Sequence, residues 1–139
     1  MKGIKTRIIE IKNENLDEEL IYKGAKIIKR GGLVAFPTET VYGLGANGLN
    51  PEAVRKIFQA KGRPQDNPLI LHVYNKSQVI PLVKSISKEV EKLMEKFWPG
   101  PLTILFKRSN LVPDIITGGL DTVAIRMPNN PIALKLIEL

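Results

Sequence analysis

The sequence has no cysteine and one histidine, His72. The first absence removes disulfides, thiolate metal sites and a cysteine nucleophile together. The second removes any multi-histidine metal centre, and no metal-ligating residue is assigned. No apolar run approaches the roughly 20 residues that span a bilayer, and the N-terminus lacks the apolar core of a signal peptide. The expected setting is therefore a reducing cytoplasm, away from membranes. Negative charge is also scarce: 14 Asp and Glu face 21 Lys and Arg, a formal net charge of +7. Such a surplus suits nucleotides or RNA, and equally the lysine-rich helix faces of an ordinary soluble surface. What is present is a globular composition, 43% hydrophobic and 25% charged over 139 residues. That length suits one domain burying roughly two-thirds of its unfolded surface.

Along the chain, strands alternate with helices. Thr6 to Ile11 alternates and predicts a short strand. Asn15 caps a helix running from Leu16 to about Arg30, acidic in its first turn and basic in its last, and Gly31-Gly32 ends it. Leu33 to Phe36 reads as a buried strand. Asn50 and Pro51 open a second helix with Val54, Ile57 and Phe58 on one face. Leu69 to Val73 is a strand, Ser77 to Val83 a short helix, and Ser87 caps a helix through Phe97. Pro99-Gly100-Pro101 breaks the chain before a strand from Leu102 to Phe106. Thr122 to Met127 is a further strand, and Pro131 starts a last helix, Ile132 to Leu139. The class is α/β, and the apolar strands call for cover on both faces of a twisted, partly parallel sheet. The last helix is apolar on more than one side and lacks a C-terminal cap, which predicts a domain 1–139 cut short at its C-terminus.

Three segments carry candidate chemistry. Phe36 to Gly45 ends a strand with hydroxyls, a carboxylate and glycines, where α/β proteins place ligand loops. Thr38 and Thr40 can bond a small polar substrate, and Gly43 and Gly45 permit close backbone approach or positive φ. It is no Walker loop, because no lysine follows the glycines; Thr38 also reads as a helix cap in a Pro-Thr turn. Lys61-Gly62-Arg63-Pro64 pairs a compact charge with a planar fork suited to phosphate oxygens. Taken alone, the same residues read first as a basic helix end followed by a turn. Arg126 lies in an apolar strand, where its charge needs a ligand anion or a structural carboxylate. His72 reads as a structural strand histidine or a ligand contact, and Phe97 to Thr103 as a rigid aromatic turn in the core.

Taken in order, PTETVYGLGA (37–46), KGRPQDNPLILHV (61–73), FWPGPLT (97–103) and DTVAIRMP (121–128) resemble the YrdC-like threonylcarbamoyl-adenylate synthases. The resemblance runs from about Leu16 to Leu139. It implies a twisted, mixed open sheet flanked by helices, with a large basic concave face. It implies a reaction in which L-threonine, bicarbonate and ATP give threonylcarbamoyl-AMP and pyrophosphate, with Mg²⁺ on the ATP phosphates. A downstream transferase would then modify tRNA. By this resemblance Lys61 and Arg63 are catalytic and bind ATP together with Asn67. Thr38, Glu39, Thr40, His72 and Arg126 line the threonine and bicarbonate end, with Arg126 on the threonine carboxylate. The family's Ser-x-Asn motif does not follow Arg126 here. Two other readings therefore stand beside the synthase: a non-catalytic module binding tRNA or double-stranded RNA through its basic face, and a carbamoyl-adenylate-handling domain of a longer protein.

Overall fold

In the computed structural model, which describes residues 6–12, 17–39, 41–64 and 68–139, each helix longer than one turn starts on a side chain that accepts from its first-turn amides. Asp17 caps α1 (Glu18–Lys29), Asn50 caps α2 (Pro51–Lys61) and Ser87 caps α3 (Lys88–Phe97). A single turn, α4 (Asp114–Thr117), has no side-chain cap, and Asn130 caps α5 (Pro131–Glu138). Glycine ends three of them: Gly31 follows α1 at φ +86°, Gly62 closes α2 at φ +64° and Gly118 closes α4 at φ +62°, a region other residues resist.

Two small sheets carry the strands. β1 (Val34–Phe36) and β2 (Gly43–Gly45) form an antiparallel pair. β3 (Ile70–His72), β4 (Ile104–Lys107) and β5 (Thr122–Arg126) form a mixed sheet of order β3-β5-β4, parallel between β3 and β5 and antiparallel between β5 and β4. The α/β class and the mixed sheet flanked by helices are as expected. Two cores follow from this division. The larger packs Val54 and Phe58 of α2, Met94 of α3 and Trp98 against Ile104, Phe106, Val123 and Ile125 of the three-stranded sheet. The smaller joins Ile21 and Ala25 of α1, Phe36 of β1, and Ala133 and Leu136 of α5.

Several expectations change. Residues 6–11 form no strand; Ile8 is 92% exposed, and Ile11 packs only partly buried against the smaller core. α1 begins on Asp17 rather than Asn15, which lies outside the described residues; Asp17 accepts from the amides of Glu19 and Leu20. In β1 only Phe36 is buried, and Ala35 is exposed. Cover on both faces fails at β4, where Leu105 is 68% exposed and the strand alternates. The helix expected over Ser77 to Val83 is two short 3₁₀ turns, Lys76–Gln78 and Ile80–Leu82, because Pro81 has no amide for a longer ladder.

Candidate functional site

The site is assembled from four chain segments. The loop after β1 is closed by Thr38, whose Oγ1 donates to the Val41 carbonyl at 2.6 Å. Next to it, the Glu39 carboxylate reaches across the molecule to the end of β5. One oxygen is ion-paired with Arg126, and the other accepts from the Asn129 amide at 2.7 Å. The side chains of Arg126 and Glu39 are only 12% and 22% exposed. Glu39 Oε1 is the carboxylate oxygen that faces the buried Nη2 of Arg126. Burial draws the Arg126 guanidinium below its ordinary pKa while leaving it a cation.

The aromatic turn holds Arg126 from the other side. Arg126 Nε donates to the Gly100 carbonyl at 3.0 Å, and the Gly100 amide donates to the Met127 carbonyl at 2.8 Å. Trp98, buried in the larger core, donates its indole N–H to Leu102 at 2.8 Å and so holds the turn closed. The expectation of a packing role for this segment is met, and it also positions the Arg126 side chain.

His72 stands beside Arg126, because the two are in register on parallel strands. Its ring meets the Phe36 ring edge-on at 5.8 Å. Nδ1 lies 3.3 Å from the Ile70 carbonyl, which can only accept, so Nδ1 carries the proton and Nε2 keeps its lone pair. Burial lowers the His72 pKa, and the bond to Ile70 opposes the shift only in part. Of the two uses expected for Gly43 and Gly45, close approach to the backbone is the one found. Neither has positive φ; instead a Cβ at Gly45 would come 2.7 Å from Phe36 Cε1, so these glycines make room for the ring that packs against His72.

His72 also lines a cleft of about 580 Å³ between the two cores, together with Lys61, Arg63 and residues Gly43 to Gly48. Lys61 is the last residue of α2. Gly62 follows in the left-handed conformation, and the Arg63 amide returns to the Phe58 carbonyl at 3.1 Å. The helix-end reading of this segment is therefore structurally right, and the same cap aims both cations at the cleft. Thr38, Glu39 and Arg126 are not among its walls; His72 links the two groups. Thr40 and Asn67 lie outside the described residues. Two contributors escape sequence reasoning. Lys29 lines the cleft, and a signal existed in its i+4 spacing from the buried Ala25. The Asn129 amide left no signal, because a backbone donor has no side-chain signature.

Comparisons with known proteins agree on one family. The sequence model of Sua5/YciO/YrdC, described as telomere recombination, matches residues 26–139. The chain is 58% identical over 134 residues to a threonylcarbamoyl-AMP synthase of Pyrococcus abyssi and 44% identical over 136 residues to one of Bacillus subtilis. In both cases 96% of the chain aligns with 39% of the relative, so the chain spans about two-fifths of their length. The P. abyssi Sua5 structure in complex with L-threonine superimposes with a TM-score of 0.88 at 58% identity, covering 89% of this chain and 36% of that one. A nucleotide- and phosphate-bound full-length HypF matches with a TM-score of 0.74 at 28% identity, over 85% of this chain and 18% of the larger protein.

Proposed function

The chain belongs to the Sua5/YciO/YrdC family, and from that membership we propose that it forms threonylcarbamoyl-AMP for tRNA modification, from L-threonine, bicarbonate and ATP. The observation that carries this reading is the adjacency of two anion-suited groups. Arg126, in register with His72 on the neighbouring strand, would take the amino-acid carboxylate. Lys61 and Arg63, across the cleft that His72 lines, would take the ATP phosphates with Asn67. Thr38, Glu39 and Thr40 would enclose threonine and bicarbonate. The threonine complex of a 58%-identical relative supports a threonine site on this fold, and the nucleotide-bound HypF supports a nucleotide site on it.

The chemistry asks for positioning more than covalent work. Threonine's amine attacks the bicarbonate carbon and water leaves. A carbamate oxygen then displaces pyrophosphate from the α-phosphorus. The amine must first lose a proton, and a neutral His72 with a free Nε2 lone pair suits that transfer. Mg²⁺ would arrive on the ATP phosphates, since no three His, Asp or Glu among the described residues gather into a cage for it. The product would pass to a transferase acting on tRNA. Lys23, Lys26 and Arg30, all exposed on and just after α1, offer a tRNA backbone a basic surface. A cytoplasmic setting would suit the reaction's substrates.

The test is calorimetry with threonine and with ATP, joined to pyrophosphate release in the presence of threonine, bicarbonate and Mg-ATP. Release should require all three. Release indifferent to threonine would overturn the proposal in favour of a carbamoyl-adenylate reaction. RNA binding with no affinity for threonine or ATP would favour the non-catalytic module.

A further inference from the structure

The surroundings of Arg126 carry a second inference, which rests on the reading of that residue as the partner of the substrate carboxylate. We propose that Arg126 and the Asn129 amide form one carboxylate site, that Glu39 occupies it when substrate is absent, and that the substrate's carboxylate displaces Glu39 from it.

Both oxygens of Glu39 are engaged, one by a guanidinium and one by a backbone N–H at 2.7 Å. A free amino acid's carboxylate would satisfy the same two donors in the same way. The occupant is needed, because a largely buried cation without a counter-charge is strongly unfavourable. Yet the site does not depend on Glu39 for its shape. Arg126 Nε is held by the Gly100 carbonyl, and Gly100 is in turn held by Met127. The guanidinium therefore keeps its orientation when one carboxylate is exchanged for another.

Glu39 is also placed to leave. It sits in the connection between β1 and β2, whose neighbouring Val41 and Tyr42 are 74% and 77% exposed and bury little against the body. The Thr38 bond to Val41 lies within that connection and moves with it. An internal competitor reduces apparent affinity by the fraction of molecules in which the site is open. Once displaced, the Glu39 carboxylate stands beside the bound ligand, where a zwitterion presents its ammonium group. Glu39 is then a gate for the carboxylate and a partner for the amine, which explains a carboxylate in a pocket for an anionic group.

The exchange can be isolated with 3-hydroxybutanoate, which is threonine without its amino group. Glu39→Gln, and Glu39→Ala as a second variant in case the first folds poorly, should bind this probe about threefold to tenfold more tightly than the wild type. Calorimetry or Trp98 emission would measure it in the intact protein. The Asn129 amide proton should move upfield in Glu39→Gln and return on adding the probe, a response that a merely structural Glu39 would not give. Unchanged or weaker probe binding in both Glu39 variants, while Arg126→Ala loses threonine, would overturn the proposal and make Glu39 a strut for Arg126. Threonine binding that survives Arg126→Ala would instead overturn the underlying assignment of Arg126.

Discussion

Lys61 and Arg63 on one side, and Arg126 on the other, are cations proposed for anionic groups of two different substrates, and the fold treats them in opposite ways. Lys61 is exposed and Arg63 half-buried at a helix end, and neither is ion-paired among the described residues. Arg126 is enclosed by a strand, a turn and a carboxylate. An exposed cation keeps its hydration until a ligand arrives, so it can be spared for binding and will respond to salt. A buried one must be neutralised at all times, so its binding role cannot be separated from its structural one. Phosphates, large and multiply charged, suit the first arrangement; a single carboxylate that must be oriented suits the second.

The largest expected difference lies in stability. Arg126→Ala strands the Glu39 carboxylate and frees the Gly100 carbonyl, and should cost about 3 kcal/mol in urea denaturation. Lys61→Ala should stay within about 0.5 kcal/mol of wild type. Equal losses would erase the contrast. Turnover should show the complementary pattern. Arg63→Ala should lower kcat/KM about tenfold to a hundredfold, some 1.4–2.7 kcal/mol, with little change in melting temperature. Arg63→Lys should restore only part of it, because a point charge cannot replace the fork; full restoration would reduce the site to simple charge attraction.

Between the two groups, Gly45→Ala tests the packing that holds His72. Its Cβ would meet Phe36 Cε1 at 2.7 Å, so the ring must shift, at about 1–2 kcal/mol, and the change should appear in the His72 ring shifts by NMR. A neutral substitution would mean that the ring has room to retreat. The smallest effect is a pH slope. The folded pKa of His72 is lowered, so the unfolded chain binds its proton first as the solution is acidified. The His72 contribution is thus fully present above the ordinary histidine pKa of about 6.5 and declines as pH falls through it. His72→Gln should flatten that part of the stability profile; an identical profile would show that His72 adds nothing to it.

Much of this molecule could be read directly from the chain because the physics is local. Asn50, Ser87 and Asn130 cap helices within three residues of themselves, and Gly62 ends α2 in a conformation open to it at little cost. The order of strands and helices, and hence the α/β class, follows from such signals. So do the candidates Lys61, Arg63, His72 and Arg126, through charge in improbable surroundings and through motif order. Contacts between distant segments were not legible. Periodicity could not say that residues 6–11 would form no strand, nor that β4 would leave Leu105 in water. Nothing near Arg126 in sequence announces that its counter-charge comes from Glu39, or that Asn129, 90 residues from that glutamate, supplies the other donor. Composition and spacing determined which groups this protein can use. Only the tertiary structure decided which of them meet, because a buried charge is satisfied by whatever folding brings within a few ångströms, and chain distance does not enter that energy.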